Sequence, residues 1–398
     1  MSALPVRPAA PAAPLRVGMV AGEHSGDQLG AALIAALRER VPALECFGVA
    51  GPKMVAAGCE AWAPCDSLGV MGLAEVLRHL PRLLRLRAEL AARFGAARPD
   101  VFIGIDSPEF NLALAGRLRR GGIRCVQYVS PQVWAWRQGR VRTIARDTDL
   151  VLCLLPFESE FYTQHAVRAE FVGHPLADQI PLAVDCAGAR AALGVASDAH
   201  LIALLPGSRL FEVAHLAAPF AAAAGRIHEQ RPEFQFIAPM ASRAVRECFE
   251  RQLVQAPEKA LIRVVDGQAQ RVLAAADAAI VASGTATLET LLSGKPMVVA
   301  YKVSWLTNFV LRTLGLVKVQ YFSQPNLLAG RRLVPEFSQG AVTGEALSSA
   351  LLAEMGDPAH VAALREEFAR IHRLLRRGGA GRAADAVLEC AARPPVSR

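Results

Sequence analysis

Short, mostly apolar runs recur along this chain at intervals that leave room for a helix between most of them. They cover residues 15–20, 44–49, 101–105, 124–129 and 150–154, then 201–205, 234–238, 262–265, 278–281 and 297–301. None alternates with polar residues. A strand without a polar side is buried on both faces, the condition of a parallel sheet covered by helices. The pattern predicts βαβ units in two sets, hence two Rossmann-like, doubly wound α/β domains facing a central cleft. Ligands of such folds gather at the carboxyl ends of the strands.

At 398 residues the chain exceeds one ordinary core, which also favours two domains. Residues 1–14 read as a flexible Pro/Ala-rich leader without the apolar stretch of a signal peptide. The first domain is expected over 15–175 and the second over 176–345, with a Gly-His-Pro turn and a connector near 174–193 marking the break. Residues 346–398 are helical in pattern and expected either to cross back or to exchange between subunits.

Although 53% of the residues are hydrophobic, no uncharged apolar stretch reaches the ~18 residues of a membrane span. Eight scattered cysteines form no C-x-x-C, and the nine histidines form no H-E-x-x-H. Small core cysteines in a reducing cytoplasm fit better than a disulfide scaffold or a zinc site. A net charge of +8 suits an anionic substrate or lipid. Nucleic acid ranks last, because aromatics are only 6% and no nucleic-acid module is present.

The segment 280–296, IVASGTATLETLLSGKP, runs from an apolar strand through a small-residue turn into a helix. Backbone N–H groups and the helix dipole make such a turn an anion site, with Ser283, Gly284, Thr285 and Thr287 as candidates. Glu289, one turn further, is placed to accept hydrogen bonds from a ribose diol. The pair suggests a nucleoside diphosphate. The competing reading is a plain helix cap, although Ala286 stands where a capping box needs Ser or Thr. Gly207, Ser208 and Arg209 follow another strand of the same domain and suit an oxyanion, since guanidinium pairs with phosphate in a fork. Asn326, after a proline, reads as a further polar contact or a turn residue.

In the first half, Glu23, Ser25 and Asp27 follow the opening strand. Gly22, Gly26 and Gly30 are spaced four apart, unlike a dinucleotide fingerprint, and the alternative is a polar turn. Asp106 ends a buried strand, where it can act as a general base or cap a turn. Trp134 and Trp136 beside Arg137 and Arg140 suggest a wall for a sugar or acyl phosphate; packing aromatics with solvent-facing arginines read equally well. Over 67–90, Val70, Met71, Leu73, Val76, Leu77 and Leu80 alternate with Arg78 and Arg82. Such a face suits anionic lipid or core burial, with Pro81 dividing the segment.

These motifs, in this order, resemble bacterial lipid-A-disaccharide synthases. The blocks AGEHSGDQLG, GVMGLAEVL, PDVFIGIDSPEFN, YVSPQVWAWRQGR, LPFE, FVGHPLAD, LLPGSR, SGTATLE and QPNLLAGRRLVPEF carry the likeness, which extends from about residue 15 onward. The resemblance implies an inverting GT-B glycosyltransferase without metal or other cofactor. Its donor would be UDP-2,3-diacylglucosamine and its acceptor 2,3-diacylglucosamine 1-phosphate (lipid X). The products would be the β(1→6)-linked lipid A disaccharide 1-phosphate and UDP. It implies a peripheral protein on anionic lipids at the cytoplasmic face of a Gram-negative inner membrane, with a homodimer among its possible states. By the same resemblance Asp106 is the base, Arg209, the 283–287 loop, Glu289 and Asn326 form the donor site, and Glu23 matches a further polar residue important in the family. The segment after Ser67 would dock on the membrane. The chain departs from the common family pattern at His24, Gln127 and Gln132, where Ala, His and Ser are frequent, and in EFSQG after Val334. Another UDP-sugar enzyme of this fold, on a polyprenyl-linked acceptor or as an epimerase, and a non-catalytic UDP-sugar-binding membrane protein are the alternatives.

Overall fold

The computed structural model describes residues 14–68, 73–134, 138–254, 256–302 and 320–393, without the side chains of 73–79 and 257. It divides into two units, Met1–Pro175 with Arg377–Arg398, and Leu176–Arg376.

The first unit holds β1 (Leu15–Ala21), β2 (Leu44–Ala50), β3 (Cys59–Pro64), β4 (Val101–Ile105), β5 (Arg124–Tyr128), β6 (Leu150–Cys153) and β7 (Ala169–Phe171). All pair in parallel, in the order β3-β2-β1-β4-β5-β6-β7. One face packs Val17, Met19 and Ile103 beneath a helix, His24–Arg40. The other packs Val20, Phe47 and Phe102 beneath Leu90 and Phe94. Adjacent residues therefore face opposite cores, which is why the strands carry no polar stripe.

The second unit holds β8 (His200–Leu205), β9 (Phe234–Met240), β10 (Ile262–Asp266), β11 (Ala278–Ala282), β12 (Met297–Tyr301) and β13 (Glu336–Ser338), again parallel, in the order β10-β9-β8-β11-β12-β13. Each sheet reverses its winding once, between β1 and β4 in the first and between β8 and β11 in the second. At such a reversal the connections leave in opposite directions and open a crevice at the carboxyl ends.

Three edge strands, β3, β7 and β13, escaped the sequence reading. Their residues are mostly half-buried or exposed, so they form no continuous apolar run. One other expectation is corrected. Pro81 does not divide its segment: one helix, Leu73–Ala97, runs through it. Pro81 lacks an N–H and forgoes one backbone bond, a local loss that the helix tolerates at an exposed position. The helical C-terminal segment is not one body. Gly344–Gly356 and Pro358–Leu375 belong to the second unit, whereas Gly379–Ala392 buries Ala383, Val387 and Cys390 in the first core and pairs Asp385 with Arg40 at 2.5 Å. All eight cysteines are free, and seven are buried.

Candidate active site

In the second unit, two loops leave the carboxyl ends of the strands that flank the reversal. Beyond β8, Gly207 takes φ +119°, and a Cβ there would lie 2.5 Å from Glu212 Oε2. This close approach requires glycine. Ser208 and Arg209 donate their backbone N–H groups to Glu212 Oε2 at 3.2 and 3.3 Å. The Arg209 guanidinium stands 3.5 Å from Glu212 Oε1, with its side chain 64% exposed. A carboxylate thus rests on an anion-binding loop. Glu212 was missed in the sequence, yet its place as third residue of the helix Leu210–Gln230 is that of the reciprocal carboxylate in a capping box.

Beyond β11, Ser283 donates its hydroxyl to Phe322 O at 3.1 Å, and Gly284 begins the helix Thr285–Leu292 at φ +146°. Gly284 brings no side-chain oxygen to the first N–H groups, and both it and Thr285 are exposed. Both loops and Glu289 line one open cavity of about 270 Å³. Burial pushes the Glu289 carboxyl above its ordinary range, opposed by a hydrogen bond with Gln270. Tyr301, at the end of β12, is raised by burial and by the Glu212 charge, with Arg209 acting the other way.

Two candidates of this unit hold protein rather than a ligand. Thr287 is fully buried; its hydroxyl donates to Gly284 O at 2.8 Å and accepts from Gln324 N at 3.3 Å. Asn326 is fully buried as well. Its Oδ1 accepts from Leu333 N and Val334 N at 2.7 and 2.9 Å, and its Nδ2 donates to Val334 O at 3.0 Å.

In the first unit, Asp106 follows β4 directly, half-buried, at φ +53°. Burial raises its carboxyl above the ordinary range, against a hydrogen bond from Ser107. Glu23 and Ser25 are exposed beyond β1, on the other side of the reversal. Asp27 is removed from the candidates. It is 2% exposed and caps the short helix Pro52–Ala56, accepting from Gly51 N, Met54 N and Lys53 N at 2.9–3.0 Å. Three of its roughly four acceptor positions are thus spent on backbone, and the group is closed to solvent.

Trp134 packs edge-on against Phe157 at 4.8 Å, and Arg140 pairs with Glu109. Trp136, Arg137, Val70 and Met71 lie outside the described residues. Leu73, Val76, Leu77 and Arg78 lie on the helix Leu73–Ala97, where their side chains are not described; Leu80 and Arg82 are exposed. Leu80 and Leu84, one turn apart, are 41% and 44% exposed, whereas Leu90 and Phe94 turn into the core. Among the described residues, no helix is long and apolar enough to cross a membrane.

Two parallel α/β units, each with polar loops at its winding reversal, define the GT-B class of fold. Solved structures agree. The calicheamicin glycosyltransferase is similar with a TM-score of 0.59 at 18% identity, over 96% of this chain and all of the other. UDP-GlcNAc 2-epimerase from Neisseria meningitidis reaches 0.62 at 12% identity, over 94% and 98%. At these identities the likeness shows the fold alone.

The sequence goes further: the family profile described as lipid-A-disaccharide synthetase matches residues 17–386. Lipid-A-disaccharide synthase of Alkalilimnicola ehrlichii is 52% identical over 95% of this chain and 99% of its own. Those of Pseudomonas aeruginosa and Escherichia coli are 50% and 47% identical, over 94–95% of this chain and 98% of theirs. The chain belongs to the lipid-A-disaccharide synthase family, and it is a glycosyltransferase.

Proposed function

We propose that the chain joins UDP-2,3-diacylglucosamine to lipid X, forming the β(1→6)-linked lipid A disaccharide 1-phosphate and UDP. The observation that carries the donor half is the convergence of the Gly207–Arg209 loop, the Ser283–Thr285 loop and Glu289 on one cavity. Two sets of backbone N–H groups and a largely exposed guanidinium suit a diphosphate, and a carboxylate one helical turn away suits the ribose diol. The diphosphate displaces Glu212, whose two long hydrogen bonds occupy the N–H groups it needs.

Chemistry follows from charge. The acceptor 6-hydroxyl oxygen forms its bond to the donor C1 from the face opposite the leaving group, so the anomeric centre inverts. The C1–O bond to the β-phosphate breaks, and its electron pair leaves with UDP. Arg209 and the loop N–H groups stabilise that developing charge. Asp106 takes the hydroxyl proton. Its raised affinity for protons makes it a stronger base than an exposed carboxylate.

Lipid contact is assigned to the outward face of the helix Leu73–Ala97. Leu80 and Leu84 beside the exposed Arg82 and Arg85 pair apolar insertion with attraction to anionic headgroups, which suits peripheral attachment at the inner face of the inner membrane.

The direct test incubates the protein with UDP-2,3-diacylglucosamine and lipid X and follows products by mass spectrometry. A disaccharide 1-phosphate with equimolar UDP is expected. UDP binding without any disaccharide would instead support a non-catalytic sensor.

A further inference from the structure

Three non-glycine residues with left-handed backbone meet at the carboxyl ends of β4 and β5: Asp106 (φ +53°), Ser107 (φ +40°) and Val129 (φ +74°). Each costs roughly 1–2 kcal/mol, and the β-branched Val129 is the least suited of the three. Such strain persists only where the surroundings over-determine the backbone.

Here two buried amides do so. Asn111, fully buried, donates Nδ2 to Asp106 O at 2.8 Å. Gln127, 1% exposed, donates Nε2 to Asp106 O at 3.1 Å and to Val129 O at 3.3 Å. Every oxygen facing these nitrogens is a carbonyl, so each amide must present its NH₂. Asp106 also donates its own N–H to Tyr128 O at 2.9 Å. Its peptide groups are thus gripped on both sides, while its carboxyl takes a hydrogen bond from the Ser107 backbone. Gly104 makes room for the arrangement, since a Cβ there would lie 2.7 Å from Asn111 Cβ and 3.2 Å from Gln127 Oε1. Asn111 Oδ1 has no partner among the described residues, an omission that costs about 1–3 kcal/mol in a buried group. A side chain kept at that cost is kept for its donor end.

We infer that Asn111 and Gln127 are positioning residues, a pair of amides that fixes the left-handed Asp106–Ser107 turn and thereby aims the Asp106 carboxylate. The inference rests on the reading of Asp106 as the base. Without the clamp the Asp106 peptide relaxes toward ordinary backbone angles and its Cα–Cβ bond swings. A misplacement of about 1 Å can slow an aligned reaction by about a hundredfold.

The test uses the full chain with Gln127→Met and Asn111→Leu, which keep volume and remove the donors. Each is expected to lower kcat about 10- to 100-fold and to move the acid limb of the kcat–pH profile. KM for lipid X and the Kd of UDP should stay within about twofold, as for a change confined to one distant group. Gln127→His, which retains an N–H donor, should restore most of the rate lost in Gln127→Met. In an Asp106→Asn background, Gln127→Met should cost nothing further, because residues acting as one unit are not additive. If Asn111→Leu fails to fold, Gln127→Met decides. The inference is overturned if Gln127→Met keeps full kcat, or if it slows Asp106→Asn by the same factor as the parent. Full activity in Asp106→Asn itself would be a different failure, that of the base assignment.

Discussion

The carboxylate of Glu212 folds back on Arg209, taking its backbone N–H at 3.3 Å while the guanidinium stands 3.5 Å away. An anion of the protein therefore holds the place proposed for an anion of the ligand. Because phosphate and carboxylate cannot share those donors, Glu212 opposes donor binding. Glu212→Gln should raise UDP affinity about two- to fivefold, the value of an exposed ion pair. Titration calorimetry checks it, and weaker binding would mean that the carboxylate mainly shapes the loop.

Arg209 is the charge that this loop adds to its N–H groups. A hydrogen bond to a charged group is worth about 1.5–3 kcal/mol, so Arg209→Ala should weaken UDP binding at least about tenfold. Arg209→Lys should recover only part of that, for want of the planar fork. Unchanged UDP affinity in Arg209→Ala would remove this residue from the donor site.

Glu158 offers a test through stability. It is 5% exposed, accepts from Leu155 N at 3.0 Å, and burial pushes its carboxyl up to about 7. A folded value above the unfolded one means that protonation favours the fold. That contribution is full below the unfolded carboxylate range near ~4.3, declines as pH rises toward about 7, and is gone above it. Over this window the parent should lose about 3 kcal/mol relative to Glu158→Gln. Denaturant unfolding of both at pH 4.5 and 7.5 measures the difference, and parallel curves would show that Glu158 ionises normally.

Leu80 and Leu84 face outward, so replacing them should spare the core. Leu80→Ser with Leu84→Ser is expected to reduce co-sedimentation with anionic vesicles severalfold at unchanged Tm, each buried methylene being worth about 0.8 kcal/mol. A lowered Tm with intact vesicle binding would assign these leucines to packing.

Much of the architecture was written in the apolar runs, because a strand covered on both faces leaves a continuous signature. The edge strands β3, β7 and β13 left none, because most of their residues are only half-buried or exposed. At the site, residues whose work is done by backbone were the readable ones: Gly207 and Gly284 both take left-handed angles at strand ends. Polar side chains were harder. Asp27, Thr287 and Asn326 have the residue types of ligand contacts, yet spend their oxygens on neighbouring backbone. Such use depends on segments brought close only by folding, such as Asp27 with Gly51 or Asn326 with Leu333. For the same reason the support that Asn111 and Gln127 give Asp106 was invisible. Their spacing from it, five residues on and one strand over, carries no local pattern.

The proposed transfer turns on Asp106, and the kcat of Asp106→Asn is its most direct test. A general base contributes about 100- to 10,000-fold, so turnover should fall by that factor while UDP affinity and Tm remain those of the parent. In the parent, the acid limb of kcat should lie above the ~3.9 of an unperturbed aspartate, since burial raises this carboxyl and only its ionised form accepts the proton. An Asp106→Asn protein that turns over at the parent rate would contradict the mechanism.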